Sequence, residues 1–420
     1  MRGIKDFLIM LAVAGFACWA AVSAGQERLW RSKIRSTLFV PEKLPTLDVQ
    51  VHGRFHPEPG VIAERISYNT LLGLRVPAIV YRPESPKAKM PGLIVVNGHG
   101  GDKYTWYANY SGMLYARAGA AVLTYDPIGE GERNIERKSG TRAHDVLQDP
   151  PELGRRMGGL MMSDVMQAVS YLSQRPDVDP ARIGAMGYSM GSFVLSLACA
   201  VEPRLHACVL AGGGNLDGPR GVWDRGKPMC QGIPYRSLSF LGDRPAVIYA
   251  LHASRGPTLA YNGLQDTTVS ITTHGPPLFA DLRRRTAALR GSEAGLFETQ
   301  FTTGAHRPYF VTKPVALWLE KQLDFPNWTD ETIAAMPVTH ISEWAKANGV
   351  ELDRLYASEE REGGTPALAT GVPALSRSQL SVFTPEQWEK QKNRLIYEAW
   401  LAAARKQLKP GNQETAGEPK

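Results

Sequence analysis

Hydrophobic and polar positions change rhythm several times along the chain. Residues 65–71 and 74–81 alternate as two paired strands would around Leu72-Gly73, and residues 91–96 form an apolar run ending in Asn97-Gly98-His99-Gly100-Gly101. Strand-like and helix-like segments then take turns: helical spacing over 105–118, an apolar strand over 120–125, a helix over 160–174, a strand over 183–187 and a helix over 190–201. Strands over 206–210 and 258–262, a helix over 277–289, a strand over 297–302 and a helix over 312–322 complete the series. Apolar runs this continuous leave no wet face, so the pattern predicts an α/β fold with a mostly parallel central sheet covered by helices on both sides.

Four regions follow. Residues 1–24 read as a signal peptide, because Arg2 and Lys5 precede the apolar stretch 7–22 and Val22-Ser23-Ala24 suits cleavage. That predicts export to the periplasm or beyond the cell, with no stable membrane insertion once the signal is cut, since the apolar stretch is short for the ~20 residues a spanning helix needs. Residues 25–64 are weakly periodic and are expected to wrap the surface; residues 65–324 carry the α/β pattern. Residues 325–420 turn helical after a Gly/Pro/Ser-rich stretch. There Thr384-Pro385-Glu386-Gln387 opens an amphipathic helix carrying Trp388, Leu395, Trp400 and Leu401, read as an appendage on the main domain. Two excursions, 130–159 and 212–256, exceed ordinary connections and suit lids or pocket walls.

Composition narrows the function. The 420 residues are 43% hydrophobic, with 48 Lys plus Arg against 41 Asp plus Glu, and the net +7 is scattered, which argues against nucleic-acid binding. Of four cysteines, Cys18 lies in the signal; Cys199 and Cys208 read as small core residues, with one pairing among Cys199, Cys208 and Cys230 left open. No His/Asp/Glu cluster has ligand spacing, so neither metal nor other cofactor is expected.

The chemistry concentrates at Gly187-Tyr188-Ser189-Met190-Gly191, a G-x-S-x-G between a predicted strand and a predicted helix. Small residues suit a sharp turn there that lifts the serine hydroxyl above the carboxyl edge of the sheet. A serine hydroxyl needs a base, and the base an orienting carboxylate. Asp266 follows the strand 258–262 and His306 follows the strand 297–302, in the chain order Ser, Asp, His. The competing readings are a turn aspartate, a hydrogen-bonded loop histidine and, as a rival base, His252. Oxyanion donors are expected from the amides of Met190 and His99, with Gly100 as runner-up and the His99 imidazole as a wall. Arg133, within a basic stretch that includes Arg137, Lys138, Arg142, Arg155 and Arg156, is a candidate for an anionic substrate group, against an ion-paired surface loop. Trp223, with Met229, Tyr235 and Phe240, is a candidate wall, against ordinary lid packing.

Together with Tyr125-Asp126-Pro127-Ile128-Gly129-Glu130-Gly131-Glu132 and Arg175-Pro176-Asp177-Val178-Asp179-Pro180-Ala181-Arg182-Ile183-Gly184, these motifs make residues 65–323 resemble the α/β-hydrolase superfamily, in its acetyl xylan esterase and dienelactone hydrolase-like group that grades into prolyl-oligopeptidase-type hydrolases. Asn97 stands where many relatives have His, and Ser192 where a second glycine is common. The resemblance implies a serine hydrolase of carboxylic esters, with short-acyl (acetyl) carbohydrate esters or small-molecule esters as substrates. A prolyl-oligopeptidase-like peptidase and a catalytically silent binding protein are the alternatives. Oligomeric state is not readable from the sequence.

Overall fold

A computed structural model describes residues 22–146, 151–214, 231–292, 297–352 and 365–408. Helix α1 (Ala24–Thr37), capped by the Ser23 side chain, leads into strands β1 (Gln50–Glu58), β2 (Val61–Asn69) and β3 (Arg75–Pro83). There follow β4 (Met90–Val96), α2 (Trp106–Arg117), β5 (Ala121–Tyr125), α3 (Pro151–Gln174), β6 (Val178–Tyr188), α4 (Met190–Val201) and β7 (Ala207–Ala211). Helices α5 (Gly232–Arg236) and α6 (Arg244–Ala253), strand β8 (Thr258–Gly263), helix α7 (Ile271–Arg290), strand β9 (Phe297–Thr302) and helix α8 (Lys313–Leu323) complete the main body.

One nine-stranded sheet runs β1-β2-β3-β5-β4-β6-β7-β8-β9, antiparallel from β1 to β5 in that order and parallel from β5 through β9. Every residue of β4 is buried, because its side chains alternate between two cores. Ile94 and Val96 face the core under α3, α4, α6 and α7, while Leu93 and Val95 face the one under α2 and α8. With each buried aliphatic side chain contributing roughly 1.5–3 kcal/mol, a strand wet on either side would forfeit much of what holds the sheet together.

Two expectations need correction. The segment 25–64 does more than wrap: it supplies α1 and the edge strand β1, and β2 already begins at Val61. Its periodicity was illegible because β1 has register shifts at Val51/Gly53 and Phe55/Glu58 and buries neither face fully. The helix expected from Thr384 onward breaks into two, Pro385–Gln391 and Tyr397–Leu408. Cys199 and Cys208 are buried in the core as expected and form the pairing left open, a disulfide between α4 and β7; Cys18 and Cys230 lie outside the described residues, as do residues 1–21 of the expected signal peptide.

Beyond α8 come α9 (Asp330–Ala335), β10 (Val338–His340), α10 (Ile341–Asn348), β11 (Pro366–Leu368), α11 (Arg377–Leu380), α12 (Pro385–Gln391) and α13 (Tyr397–Leu408). Trp344 and Trp388 pack into the core on the α2 side, whereas Trp400 and Ala404 of α13 pack into the opposite core, so the extension crosses from one face of the sheet to the other. Among the described residues, no helix is long and apolar enough to cross a membrane.

Candidate active site

Strand β6 hands over to helix α4 through Ser189, whose φ of 52° and ψ of −114° lie outside the ordinary regions for a residue with a side chain. The two glycines around it answer to space. A Cβ on Gly187 would lie 2.5 Å from the Gly191 carbonyl oxygen, and one on Gly191 would lie 2.1 Å from the Val96 carbonyl oxygen at the end of β4. Ser192, where a glycine was the common residue, sits with its Oγ 2.7 Å from the carbonyl oxygens of both Gly187 and Ala211, bracing the turn.

The other two predicted residues reach Ser189 because their loops are tied together. The Leu264 amide donates to the Thr302 carbonyl and the Gln265 amide to the Gly304 carbonyl, each at 2.9 Å, while the Gly304 amide donates to Gln265 Oε1 at 2.8 Å. These bonds lock the ends of β8 and β9 side by side. His306 Nδ1 donates to Asp266 Oδ2 at 2.8 Å, and Ser189 Oγ lies 2.8 Å from His306 Nε2. Asp266 is wholly buried and its other oxygen accepts from the Val269 amide at 3.1 Å. Gly212, at φ +61°, leaves room for the imidazole, since a Cβ there would lie 3.0 Å from His306 Cε1. The rival His252 is elsewhere: it is buried, bonded to Thr258, and pushed down to about 3 by burial and by His206.

Parallel pairing of Val96 with Gly187 sets the glycine-rich loop beside the serine turn. Asn97, in place of a histidine, ties this loop to β5 by donating to the Tyr125 carbonyl at 2.8 Å, and the Gly98 amide donates to Tyr107 Oη at 2.9 Å. Gly100 takes φ +84°. Met190 opens α4 next to Ser189, so its N–H belongs to the positive end of that helix. The His99 imidazole turns to the loop that follows β5, with Nε2 2.6 Å from Asp145 Oδ1 and its ring 5.0 Å from that of His144.

Arg133 is not a cleft residue. It is wholly buried, donating to the Asp164 carboxylate and, at 3.2 Å, to the Asp126 carbonyl, so it is ion-paired inside the fold and not in a surface loop. Arg137 pairs with Glu132 at 3.3 Å, and Arg156 with Glu152 at 2.7 Å. The exposed Arg142 does adjoin the glycine-rich loop, its Nε 3.4 Å from where a Cβ on Gly100 would be. Trp223 and Met229 lie outside the described residues, Tyr235 is a core residue against Phe193, and Phe240 is exposed near Lys33.

Beneath this loop lies a charged cluster that the sequence did not reveal. Lys103, Asp126 and Glu132 are all fully buried, with Lys103 Nζ bonded to Asp126 and 2.9 Å from Glu132 Oε2. Burial opposes the ammonium charge, but the two carboxylates outweigh it and hold Lys103 above its ordinary value. Glu132 also accepts from the Val382 and Phe383 amides at 2.9 Å each, docking the C-terminal extension.

Nearby Glu130 is pushed up from 4.5 to about 7, chiefly by burial, even though it accepts from the Thr141 and Arg142 amides. A carboxyl raised in the fold stabilises fully below its unfolded value, and that contribution is lost as pH rises through the folded value. Between about pH 5 and pH 8 the wild type should therefore lose up to about 3 kcal/mol that a Glu130→Gln variant keeps. Urea unfolding of both proteins across this range measures the difference; parallel stability curves would refute it.

Residues 43–211 match the family model "Acetyl xylan esterase (AXE1)" and residues 152–292 match "Prolyl oligopeptidase family"; both spans include Ser189. The chain is 27% identical over 147 residues to the Bacillus subtilis (strain 168) protein YtaP, covering 32% of this chain and 47% of that one. It is 26% identical over 148 residues to thiohydrolase apmlB of Arthrinium phaeospermum, covering 35% and 42%. The chain thus spans less than half the length of either relative. Among solved structures, Methylesterase BT1017 superposes with a TM-score of 0.59 at 20% identity, covering 90% of this chain and 73% of that one. A glucuronoyl esterase from Solibacter usitatus superposes with a TM-score of 0.51 at 14% identity, covering 71% and 92%. At such identities the likeness is one of fold.

Proposed function

Because the chain is an α/β-hydrolase of the acetyl xylan esterase-like group, we propose that it hydrolyses carboxylic esters through an acyl-enzyme on Ser189, with short-acyl esters of carbohydrates as substrates. The observation that carries this reading is the unbroken relay of hydrogen bonds from Ser189 Oγ through His306 to the buried Asp266. In the first half-reaction Oγ attacks the ester carbonyl while His306 Nε2 takes its proton. The carbonyl oxygen, now negative, is held by the amides of Met190 and His99, each such donor contributing on the order of 3 kcal/mol. Collapse expels the alcohol, which receives the proton from His306. Water then attacks the acyl group with His306 again as base, releasing the acid and restoring Ser189. Asp266 keeps the Nδ1 proton in place and stabilises the imidazolium.

Export belongs to the same reading, supported by the apolar stretch 7–22 after Arg2 and Lys5 and by the Cys199–Cys208 disulfide, which suits an oxidising compartment.

The prolyl oligopeptidase match over residues 152–292 favours a second reading as a peptidase. The test compares p-nitrophenyl acetate, butyrate and octanoate, acetylated xylan, and a prolyl p-nitroanilide. Fastest turnover of the acetyl esters supports the proposal. Cleavage of the anilide with esters untouched would replace it with the peptidase. Failure of a fluorophosphonate to label Ser189 would mean a silent scaffold.

A further inference from the structure

Behind the glycine-rich loop, two loops far apart in sequence bring three ligand-type atoms together. His99 follows β4, whereas His144 and Asp145 lie in the excursion after β5. The nearest ring nitrogens of the two histidines and a carboxylate oxygen of Asp145 lie within 4.8 Å of one another. His99 Nε2 is 2.6 Å and His144 Nε2 is 3.8 Å from Asp145 Oδ1. The decisive member is His144, which is wholly buried. Its Nδ1 lies 3.2 Å from the Ile128 carbonyl oxygen, an acceptor that obliges this nitrogen to carry the proton. The Nε2 lone pair is therefore directed toward Asp145, and that atom has no hydrogen-bond partner among the described residues. A histidine whose second nitrogen is fixed by a backbone carbonyl is the arrangement that orients imidazoles toward a metal.

We propose that His99 Nε2, His144 Nε2 and Asp145 Oδ1 form a binding site for one divalent cation of borderline softness, such as Zn²⁺. Two imidazoles and a carboxylate are the donors this class of ion takes, at ~2.0–2.2 Å, so around it His99 Nε2 and Asp145 Oδ1 would part slightly while His144 Nε2 closes in. Three protein ligands leave a fourth position for water or an oxygen of a bound molecule. All three donor atoms are themselves buried, although the His99 and Asp145 side chains are 13% and 28% exposed elsewhere. An ion here would pin the loop that carries the His99 amide to the excursion after β5, making it a positioning element for the serine site rather than a reacting one.

The test is binding, so it stands apart from ester hydrolysis. Protein freed of metal by a chelator is titrated with Co²⁺ and followed by visible absorption, then challenged with Zn²⁺. One equivalent of Co²⁺ should give a saturable band that Zn²⁺ abolishes. His144→Ala and Asp145→Asn should each weaken Co²⁺ binding by at least about tenfold. Asp145→Asn keeps the size of a partly exposed side chain, so it remains informative if His144→Ala fails to fold. His252→Ala removes a histidine from the separate Cys199, Cys208 and His252 cluster and should leave binding unchanged. No saturable band in the wild type, undiminished binding by Asp145→Asn, or loss of binding in His252→Ala would each overturn the proposal.

Discussion

Replacing Ser189 by alanine is expected to lower kcat for acetyl esters by on the order of 10⁵-fold, and His306→Ala should cost about as much. The double variant should be scarcely worse than either alone. That non-additivity follows from the geometry: Ser189 Oγ and His306 Nε2, 2.8 Å apart, act on one proton, so removing either partner leaves the other with nothing to do. Asp266→Asn is the sharper probe. The amide is the same size but no longer obliges His306 Nδ1 to hold its proton, and the imidazole can present the wrong nitrogen to Ser189. A fall of about 10⁴-fold in kcat with KM little changed is the expected result. All four variants should fold with unchanged circular dichroism. An Asp266→Asn enzyme at wild-type kcat would show that another group orients the base.

Lys103→Met should be the most damaging single change to stability. It removes the cation that, alone among the described residues, faces both Asp126 and Glu132 in a site with no exposed surface, and a buried ion pair that loses one partner costs about 3–5 kcal/mol. The triple variant Lys103→Met, Asp126→Asn, Glu132→Gln should recover part of that loss, because its neutral side chains no longer need a countercharge. The damage should also be spatially specific. Glu132 holds the Val382 and Phe383 amides, and its backbone carbonyl accepts from Trp388 Nε1 at 2.8 Å, so limited proteolysis should reach residues near 382 before the central sheet unfolds. Urea unfolding and a protease time course measure both effects; a stability change under about 1 kcal/mol would mean that the cluster is not the anchor of the extension.

Much of the main body was legible because its signals are local. Residues 297–302 were expected as a strand and are β9 with the same limits, and residues 190–201 were expected as a helix and are α4. Continuous apolar runs between helical segments can bury both faces in only one way, which is why the parallel sheet could be read from pattern alone. Chain order likewise put Ser189, Asp266 and His306 at the carboxyl ends of three strands, and the folded chain brings their side chains to hydrogen-bonding distance. What those residues do there is what the variants test.

Other features depend on which loops meet, and no window of sequence contains that. Arg133 looked like a surface cation until Asp164, on a helix 31 positions away, was found to share its burial. His99, His144 and Asp145 have no ligand spacing, because the loops that follow β4 and β5 come together only when those strands pair. The break between α12 and α13 follows from destination rather than propensity: Trp388 and Trp400 enter cores on opposite faces of the sheet, which one straight helix could not reach. Alternation of apolar residues therefore determined the sheet and the order of its site residues. Long-range burial of charge decided which cations are structural, which loops are tied together and how the C-terminal extension is held.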